Sequence, residues 1–523
     1  MATRELHVDG TGLASAGAVA GDDAVVGDGV VRTRLGWVLD PGDVRIVVDG
    51  LDGLDGLDLA ATDFHRGGWN SWSPTGWAPL DESPLRIWGD DERRLTADDA
   101  ANDTPDRHEG NGVGALRLAD GRVLLLGALG LGTPRVGGAA RSLWGTVETD
   151  DGDGWFLGLG PEEAVFTRYA ELLRDRLGAP TAPPVSTLWC SWYSSYEDID
   201  EGLIADAAAG LGDLPVDVVQ VDDGWEEIVG DWVAGDRFPS GMAATAATIA
   251  ARGSRPGLWL APLICLPGSR TATEHPEWLV QDPAGGPLVA GYNWDSHYAA
   301  LDTTHPEVQE HLDTVIRTVV SWGFRYLKLD FLYAGALPGL RHRDVPRERA
   351  YREALERIRV AAGPDVYLLG CGAPMLPSVG LLDGVRVGPD TASDWAPPGS
   401  VADPSHEGGR NGAAASLARL WMRGLYQVDP DVAFFRSRDT TMTAEQRQVG
   451  VDLARVSGFR STSDPVAWLD DTEQAALRRF LTGEPQVERT GPDRFVVDGR
   501  TVDFAPVVRE ARLGRERLTE ARG

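Results

Sequence analysis

The chain has 523 residues, 42% hydrophobic, 25% charged and 8% aromatic, which is a globular composition too long for one ordinary core. Its formal charge of −31 and pI near 4.6 repel a polyanion over most of the surface and disfavour nucleic acid as a partner. No stretch approaches the ~18 uninterrupted apolar residues of a membrane helix, and the first residues carry no apolar signal core, so no membrane association is expected.

Three scattered cysteines, Cys190, Cys265 and Cys371, suit a reducing, cytoplasmic compartment with neither a disulfide framework nor a zinc site. The 18 Trp outnumber the 10 Tyr and the 12 Phe. Indoles offer flat apolar platforms to sugar rings, although core packing accounts for many of them.

Residues 1–180 are rich in Gly, Asp and Val, with short alternating runs at 44–48 and 122–126 and turn signals at Asp49-Gly50 and Asp151-Gly152-Asp153-Gly154. This pattern predicts an N-terminal β-sandwich. The Leu-Asp-Gly repeat at 51–56 reads as a low-complexity loop, because it lacks the nonapeptide period of a calcium repeat. Within this region lies Gly67-Gly68-Trp69-Asn70-Ser71-Trp72-Ser73-Pro74-Thr75-Gly76-Trp77, followed by a polar segment over 90–112. Tryptophans among glycines predict a loop that presents aromatic faces to another domain.

A Pro-rich hinge at 180–184 marks a change of period. Eight short apolar runs follow, at 187–193, 216–222, 256–262, 326–331, 366–371, 385–390, 431–435 and 459–462. Helical patterns fall between them at 201–211, 306–322, 346–362, 413–426 and 444–457. Strands alternating with helices over residues 185–466 predict a central (β/α)8 TIM barrel, a fold of typically ~250 residues. The segment 263–301 is too long for an ordinary connection and reads as a functional excursion. A last helix at 472–481 and a hairpin around Asp498-Gly499 predict a small C-terminal β domain over 467–523.

In such a barrel the chemistry gathers at the C-terminal ends of the strands. Those ends read Gln220-Val221-Asp222-Asp223-Gly224-Trp225, Trp259, Lys328-Leu329-Asp330, Gly370-Cys371-Gly372 and Arg386-Val387-Gly388-Pro389-Asp390. Each has a structural reading as a cap, turn or ion pair, but charge collected on one rim needs a common reason. There is no phosphate loop, no metal-ligand spacing of histidines and no Ser or Cys with a placed His, so no cofactor or metal is expected. Paired carboxylates remain, and these point to glycoside cleavage. Lys328, two residues from Asp330 on the same strand face, favours an ionised nucleophile. Asp390 has only Arg386, four residues back, as a nearby cation in sequence, and is the better candidate for the protonated acid.

These motifs, with Gly67-Gly68-Trp69-Asn70-Ser71-Trp72 upstream, resemble the retaining α-galactosidases of glycoside hydrolase family 36, the melibiases, over residues 65 to 440, and most closely their compact prokaryotic branch. The resemblance implies Asp330 as nucleophile and Asp390 as acid/base. It assigns Asp222 and Asp223 to the sugar's O4 and O6, Lys328 to O3 and O4, Arg386 and Cys371 to the O2 side, and Trp259 with Trp69 or Trp72 to the pocket wall. The implied partner is a small oligosaccharide with a terminal α-galactose. Alternatives are an α-N-acetylgalactosaminidase, a raffinose-type galactosyl transferase, or a sugar-binding protein without turnover.

Overall fold

The computed structural model describes residues 3–9, 12–13, 25–27, 30–48, 60–87, 91–98, 107–149, 154–401 and 403–512. The Leu-Asp-Gly repeat, the Asp49-Gly50 turn and residues 151–153 lie outside the described residues.

The N-terminal part contains a six-stranded and an eight-stranded sheet. The first includes Val44–Val48, Ser142–Val147 and Pro134–Ala139; the second is centred on Trp155–Gly160, Val123–Ala128 and Val113–Leu118. Ile46, Val48, Val136 and Leu143 from one sheet share an apolar core with Phe64, Leu116, Leu124, Leu126 and Leu157 from the other. Alternation explains this packing: Leu124 and Leu126 face that core, whereas Val123 and Leu125 belong to the cluster that continues toward the barrel.

One element breaks the all-β expectation for 1–180. Glu162–Leu177 is a helix of 16 residues that buries Val165, Phe166, Tyr169, Ala170 and Leu173. Its apolar positions recur at helical spacing. The Tyr169 ring stacks on Phe156 of the sheet at 6.3 Å and leans on Trp421 of the barrel at 5.7 Å, so the helix joins the two parts.

The barrel strands are Thr187–Cys190, Val218–Val221, Arg255–Leu260, Tyr326–Leu329, Tyr367–Gly370, Gly384–Arg386, Gln427–Asp429 and Arg460–Thr462. Neighbours pair in parallel in chain order, and the first also pairs with the eighth. A parallel bridge from Val432 to Ser461 closes the ring between the seventh and eighth. The eight-stranded parallel sheet thus fits a TIM barrel, buried on both faces as its apolar runs require.

The seventh strand, expected at 431–435, forms instead at Gln427–Asp429. With one apolar residue in three it has no periodic signature. The apolar run after it, Val432 to Phe435, is buried but leaves the ladder after the single bridge. A helix at Met242–Ala251 also lacks a sequence signal, because its alanine-rich face is small rather than strongly apolar. The helix expected over 413–426 is an α-helix at Gly409–Ala418 followed by a 3-10 turn at Leu420–Gly424.

The excursion after the third strand folds into a three-stranded sheet of Ile264–Cys265, Ser296–Ala300 and Val289–Asn293. At the C-terminal end, Asp471–Leu481 carries a capping box from Asp470 and Glu473. Val487–Gly491, Arg494–Val497 and Arg500–Asp503 form an antiparallel sheet. Asp498 and Gly499, with φ of 50° and 78°, supply the two positive φ angles that a tight type I′ turn needs. No helix among the described residues is long and apolar enough to cross a membrane.

Candidate active site

Asp330 follows the fourth barrel strand and is buried. Its Oδ2 accepts from Trp259 Nε1 at 3.1 Å, and its Oδ1 accepts from the backbone N–H of Phe331 at 2.7 Å. Phe331 holds φ at 52°, a left-handed conformation that a bulky residue rarely adopts. That turn brings its N–H back onto the carboxylate and sends its ring among Trp72, Trp294 and Tyr298, with centroids 5.3 to 5.7 Å away.

Lys328 lies 3.9 Å from Asp330 Oδ2, but its closer partner is Asp222, at 3.0 and 3.3 Å. Burial acts to lower the Lys328 pKa; the Asp222 and Asp330 carboxylates outweigh it and hold the ammonium well above its ordinary value. Asp222 also accepts from Gln220 Nε2, from Cys190 Sγ at 3.3 Å and from the Asp223 N–H at 3.1 Å. Asp223 accepts from Trp294 Nε1 at 2.9 Å. Burial, with Glu226 beside it, pushes the Asp223 carboxyl up to about 10.

On the sixth strand Arg386 is buried. Its guanidinium reaches Asp390 at 3.1 Å, Asp429 at 3.2 Å and Asp431 at 2.9 Å. Burial opposes its charge, and the Asp431 and Asp429 carboxylates more than compensate. Arg386 therefore does point at Asp390, which the four-residue spacing alone leaves open.

Asp390 has a side chain 37% exposed toward the cavity it lines. Enclosure by the surrounding protein pushes its carboxyl up to about 7; Arg386 acts against that rise, and the charges of Asp431 and Asp330 act with it. Each of the two carboxyls thus lies within electrostatic reach of the other. The backbone beside Asp390 is fixed by Asp431, whose Oδ2 accepts from the Thr391 N–H at 2.8 Å and from Tyr193 Oη. Cys371 is buried between the two sides, its thiol pKa raised by burial and by Asp330.

Of the two tryptophans expected at the pocket wall, Trp72 is there. Its ring meets Phe331 at 5.7 Å and Tyr333 at 5.5 Å and lines the same cavity as Asp390. It lies so close to Gly372 that a Cβ there would stand 2.6 Å from the ring, and Gly372 has φ of 57°, so both space and backbone require glycine. Trp69 is not brought to this cavity. Its indole is buried and donates from Nε1 to Glu348 Oε1 at 2.9 Å. Three residues apart on an irregular loop, the two rings have different neighbours. Trp77, expected in the same loop, stands on the strand Gly76–Pro79.

The rim therefore gathers Asp222, Asp223, Trp259, Lys328, Asp330, Cys371, Arg386, Asp390 and Trp72. Sequence reasoning missed Asp429 and Asp431, which lie at the misplaced seventh strand, and Trp294, which lies in the excursion read as functional without any residue of it being singled out. The one His/Glu group among the described residues able to hold a cation is His275, Glu277 and Glu307. It shares no residue with this rim.

A family model described as Melibiase matches residues 163–357. An α-galactosidase from Thermus thermophilus, solved in complex with p-nitrophenyl α-D-galactopyranoside, is 41% identical, with a TM-score of 0.83 over 90% of this chain and 95% of that one. The GH36 α-galactosidase AgaA from Geobacillus stearothermophilus shares the fold, with a TM-score of 0.58 at 16% identity over 86% of this chain and 62% of that one. In sequence, AgaA is 29% identical over 209 residues, 37% of this chain and 27% of its own length. Alpha-galactosidase 1 of Pediococcus pentosaceus is 25% identical over 198 residues, 35% of this chain and 26% of its own length. The matched stretch thus spans about a quarter of these curated relatives.

Fold, rim chemistry and these likenesses place the chain in the glycoside hydrolase class. Within that class it belongs to the melibiase family, the GH36 α-galactosidases.

Proposed function

We propose that this protein is a retaining exo-α-galactosidase, releasing terminal non-reducing α-D-galactose from α-galactosides by double displacement. The observation that carries this reading is the contrast between two carboxyls on one rim. Asp330 faces the Lys328 ammonium and accepts two hydrogen bonds, as suits an ionised nucleophile. Asp390 is held up near 7 at the cavity wall, as suits a group that gives a proton and then takes one back.

Asp330 attacks the anomeric carbon and forms a β-galactosyl-enzyme while Asp390 protonates the departing oxygen. Asp390 then draws a proton from the water that releases galactose. Asp222 and Asp223 take the O4 and O6 hydroxyls and Lys328 takes O3 and O4. Arg386 and Cys371 lie on the O2 side, and Trp259 and Trp72 wall the ring. A site built around a hydroxyl strongly rejects a sugar that places it elsewhere. The division of labour is a β region over 1–180 that lends the Trp72 loop, a catalytic barrel over 185–466 and a C-terminal element over 467–523. Three unpaired, buried cysteines suit work in a reducing compartment.

Asp330→Ala should abolish turnover in a folded protein, and near-normal activity would sink the assignment. With Asp390→Ala, azide added to an activated galactoside should yield the α-galactosyl azide, since it attacks a β-linked intermediate from the opposite face. A β-azide would mean the two roles are reversed. A panel of nitrophenyl α-glycosides checks the sugar, and preference for the N-acetylated or gluco sugar would overturn the choice of galactose.

A further inference from the structure

Tyr193 sits on the single helical turn Trp192–Ser195 that follows the first barrel strand, Thr187–Cys190. It is buried, and two segments hold it there. Its N–H donates to Ser463 Oγ at 3.0 Å, just past the eighth strand. From the run after the seventh strand, Arg436 Nη2 donates to its carbonyl at 2.8 Å, and the Phe434 ring meets its own edge-on at 5.9 Å. A phenol so enclosed needs a partner for its hydroxyl. That partner is Asp431.

Asp431 is itself buried and has φ of 79°, a backbone state that a residue other than glycine keeps only where its surroundings fix it. Four donors do so. Oδ1 accepts from the Val432 N–H at 2.8 Å and faces Arg386 Nη2 at 2.9 Å; Oδ2 accepts from the Thr391 N–H at 2.8 Å and from Tyr193 Oη. One donor on Oδ2 is therefore the backbone next to Asp390, and the other is the phenol.

Two donors on one oxygen fix where it stands. With the phenol gone, Oδ2 would keep the Thr391 N–H alone, and a single bond leaves the carboxylate free to swing about it. An acid must meet the departing oxygen at about 2.6 to 3.2 Å, and a misplacement of about 1 Å can cost on the order of a hundredfold in rate. Tyr193 also lies close enough to Asp390 and Asp431 for both charges to act on it.

We propose that Tyr193 is a positioning residue for the acid/base step, setting through Asp431 the turn that carries Asp390. This rests on the galactosidase reading and brings the first barrel strand into its machinery.

Tyr193→Phe keeps the ring and removes the donor. The test compares steady-state kinetics of the full chain and of this variant on two substrates. The sugar oxygen of raffinose departs poorly without a proton, whereas the aryl oxygen of p-nitrophenyl α-galactoside departs with little help. The variant should lose about tenfold in kcat/KM on raffinose, through kcat with KM nearly unchanged, and no more than about threefold on the aryl galactoside. Its alkaline limb on raffinose should move to higher pH. Besides burial, the charges of Arg386, Asp431, Lys328 and Asp330 act on Asp390; without the phenol the Asp431 charge is less shared, so Asp390 holds its proton harder. Equal losses on both substrates, no loss on either, or a limb that stays or falls overturn the role, since a residue that only packs would not separate the two leaving groups. If a melting curve shows Tyr193→Phe unfolded at the assay temperature, Asp431→Asn cuts the same link from its other end, and equal losses on both substrates there overturn the role. A wild-type chain that cleaves neither substrate overturns the galactosidase reading first; one that cleaves both while Tyr193→Phe matches it overturns the role of Tyr193 alone.

Discussion

At the scale of single residues, the proposed acid/base role of Asp390 sets the expected pH behaviour. As the proposed acid it carries a proton in the first step, and enclosure by the protein pushes its carboxyl up to about 7. kcat/KM should therefore fall as pH rises through about 7, measured on raffinose, whose poor leaving group needs the acid. Asp431 is one of the charges that raise Asp390. Asp431→Asn removes a negative neighbour, so the alkaline limb should move to lower pH; an unmoved limb would place the acid elsewhere. Asp330 and Asp390 could be picked out in the sequence as candidates because carboxylates at successive strand ends stand out against apolar runs. Asp429 and Asp431 could not, because the strand that presents them is three residues long with one apolar side chain, and an apolar run just beyond drew the assignment away.

At the scale of elements, Arg419 decides how the Trp72 loop meets the barrel. It is fully buried, and its guanidinium donates to the carbonyls of Val387 at 2.6 Å, Asn70 at 2.6 Å and Ser73 at 3.1 Å. Val387 follows the strand that leads to Asp390, so one side chain ties the Trp72 loop to the segment that carries Asp390. Burial pushes the Arg419 pKa down to about 9, which is the cost of a cation satisfied by neutral carbonyls alone. Gly68 makes room for it, since a Cβ there would lie 2.3 Å from the guanidinium. Arg419→Lys keeps the charge but cannot span those carbonyls. It should lower kcat on raffinose and on the aryl galactoside alike, by about tenfold, and reduce unfolding free energy by about 3 kcal/mol in a denaturant titration. In the sequence Arg419 is one more arginine in a helical pattern, since nothing local marks a partner some 350 residues away.

At the scale of the whole molecule, one apolar cluster runs from Val113, Leu125 and Phe156 of the N-terminal sheet, through the barrel, to Phe495 and Val502 of the C-terminal sheet. The segments that look separable by composition share a core, and calorimetry should show one unfolding transition rather than three. Trp69 and Glu348 lie at the seam between loop and barrel, and burial pushes the Glu348 carboxyl up to about 7. A folded pKa above the unfolded one means the native state holds the extra proton. That contribution is complete below about pH 4.5 and is lost as pH rises through about 7, by roughly 3 kcal/mol in all. Glu348→Gln keeps the acceptor for Trp69 and cannot ionise. Its melting temperature should gain on wild type between pH 5 and pH 8, and parallel curves would refute a titrating Glu348. The barrel was legible because parallel strands buried on both faces read as plain apolar runs. The helix Glu162–Leu177 was not, because the β pattern around it set the expectation.

The barrel's ring is thinnest where it closes. Between the seventh and eighth strands a single backbone bridge, Val432 to Ser461, completes the circle, and Asp429 and Asp431 at that join are the residues that grip Arg386. The fastener of the barrel therefore lies next in sequence to the carboxylates that hold Arg386. In the proposed reading, a sugar seated against Arg386 would help hold the hoop shut, beyond the ion pairs already there. Hydrogen–deuterium exchange at 427–433 should slow when galactose is present, so that substrate shelters the enzyme from heat at the place where it would first come apart.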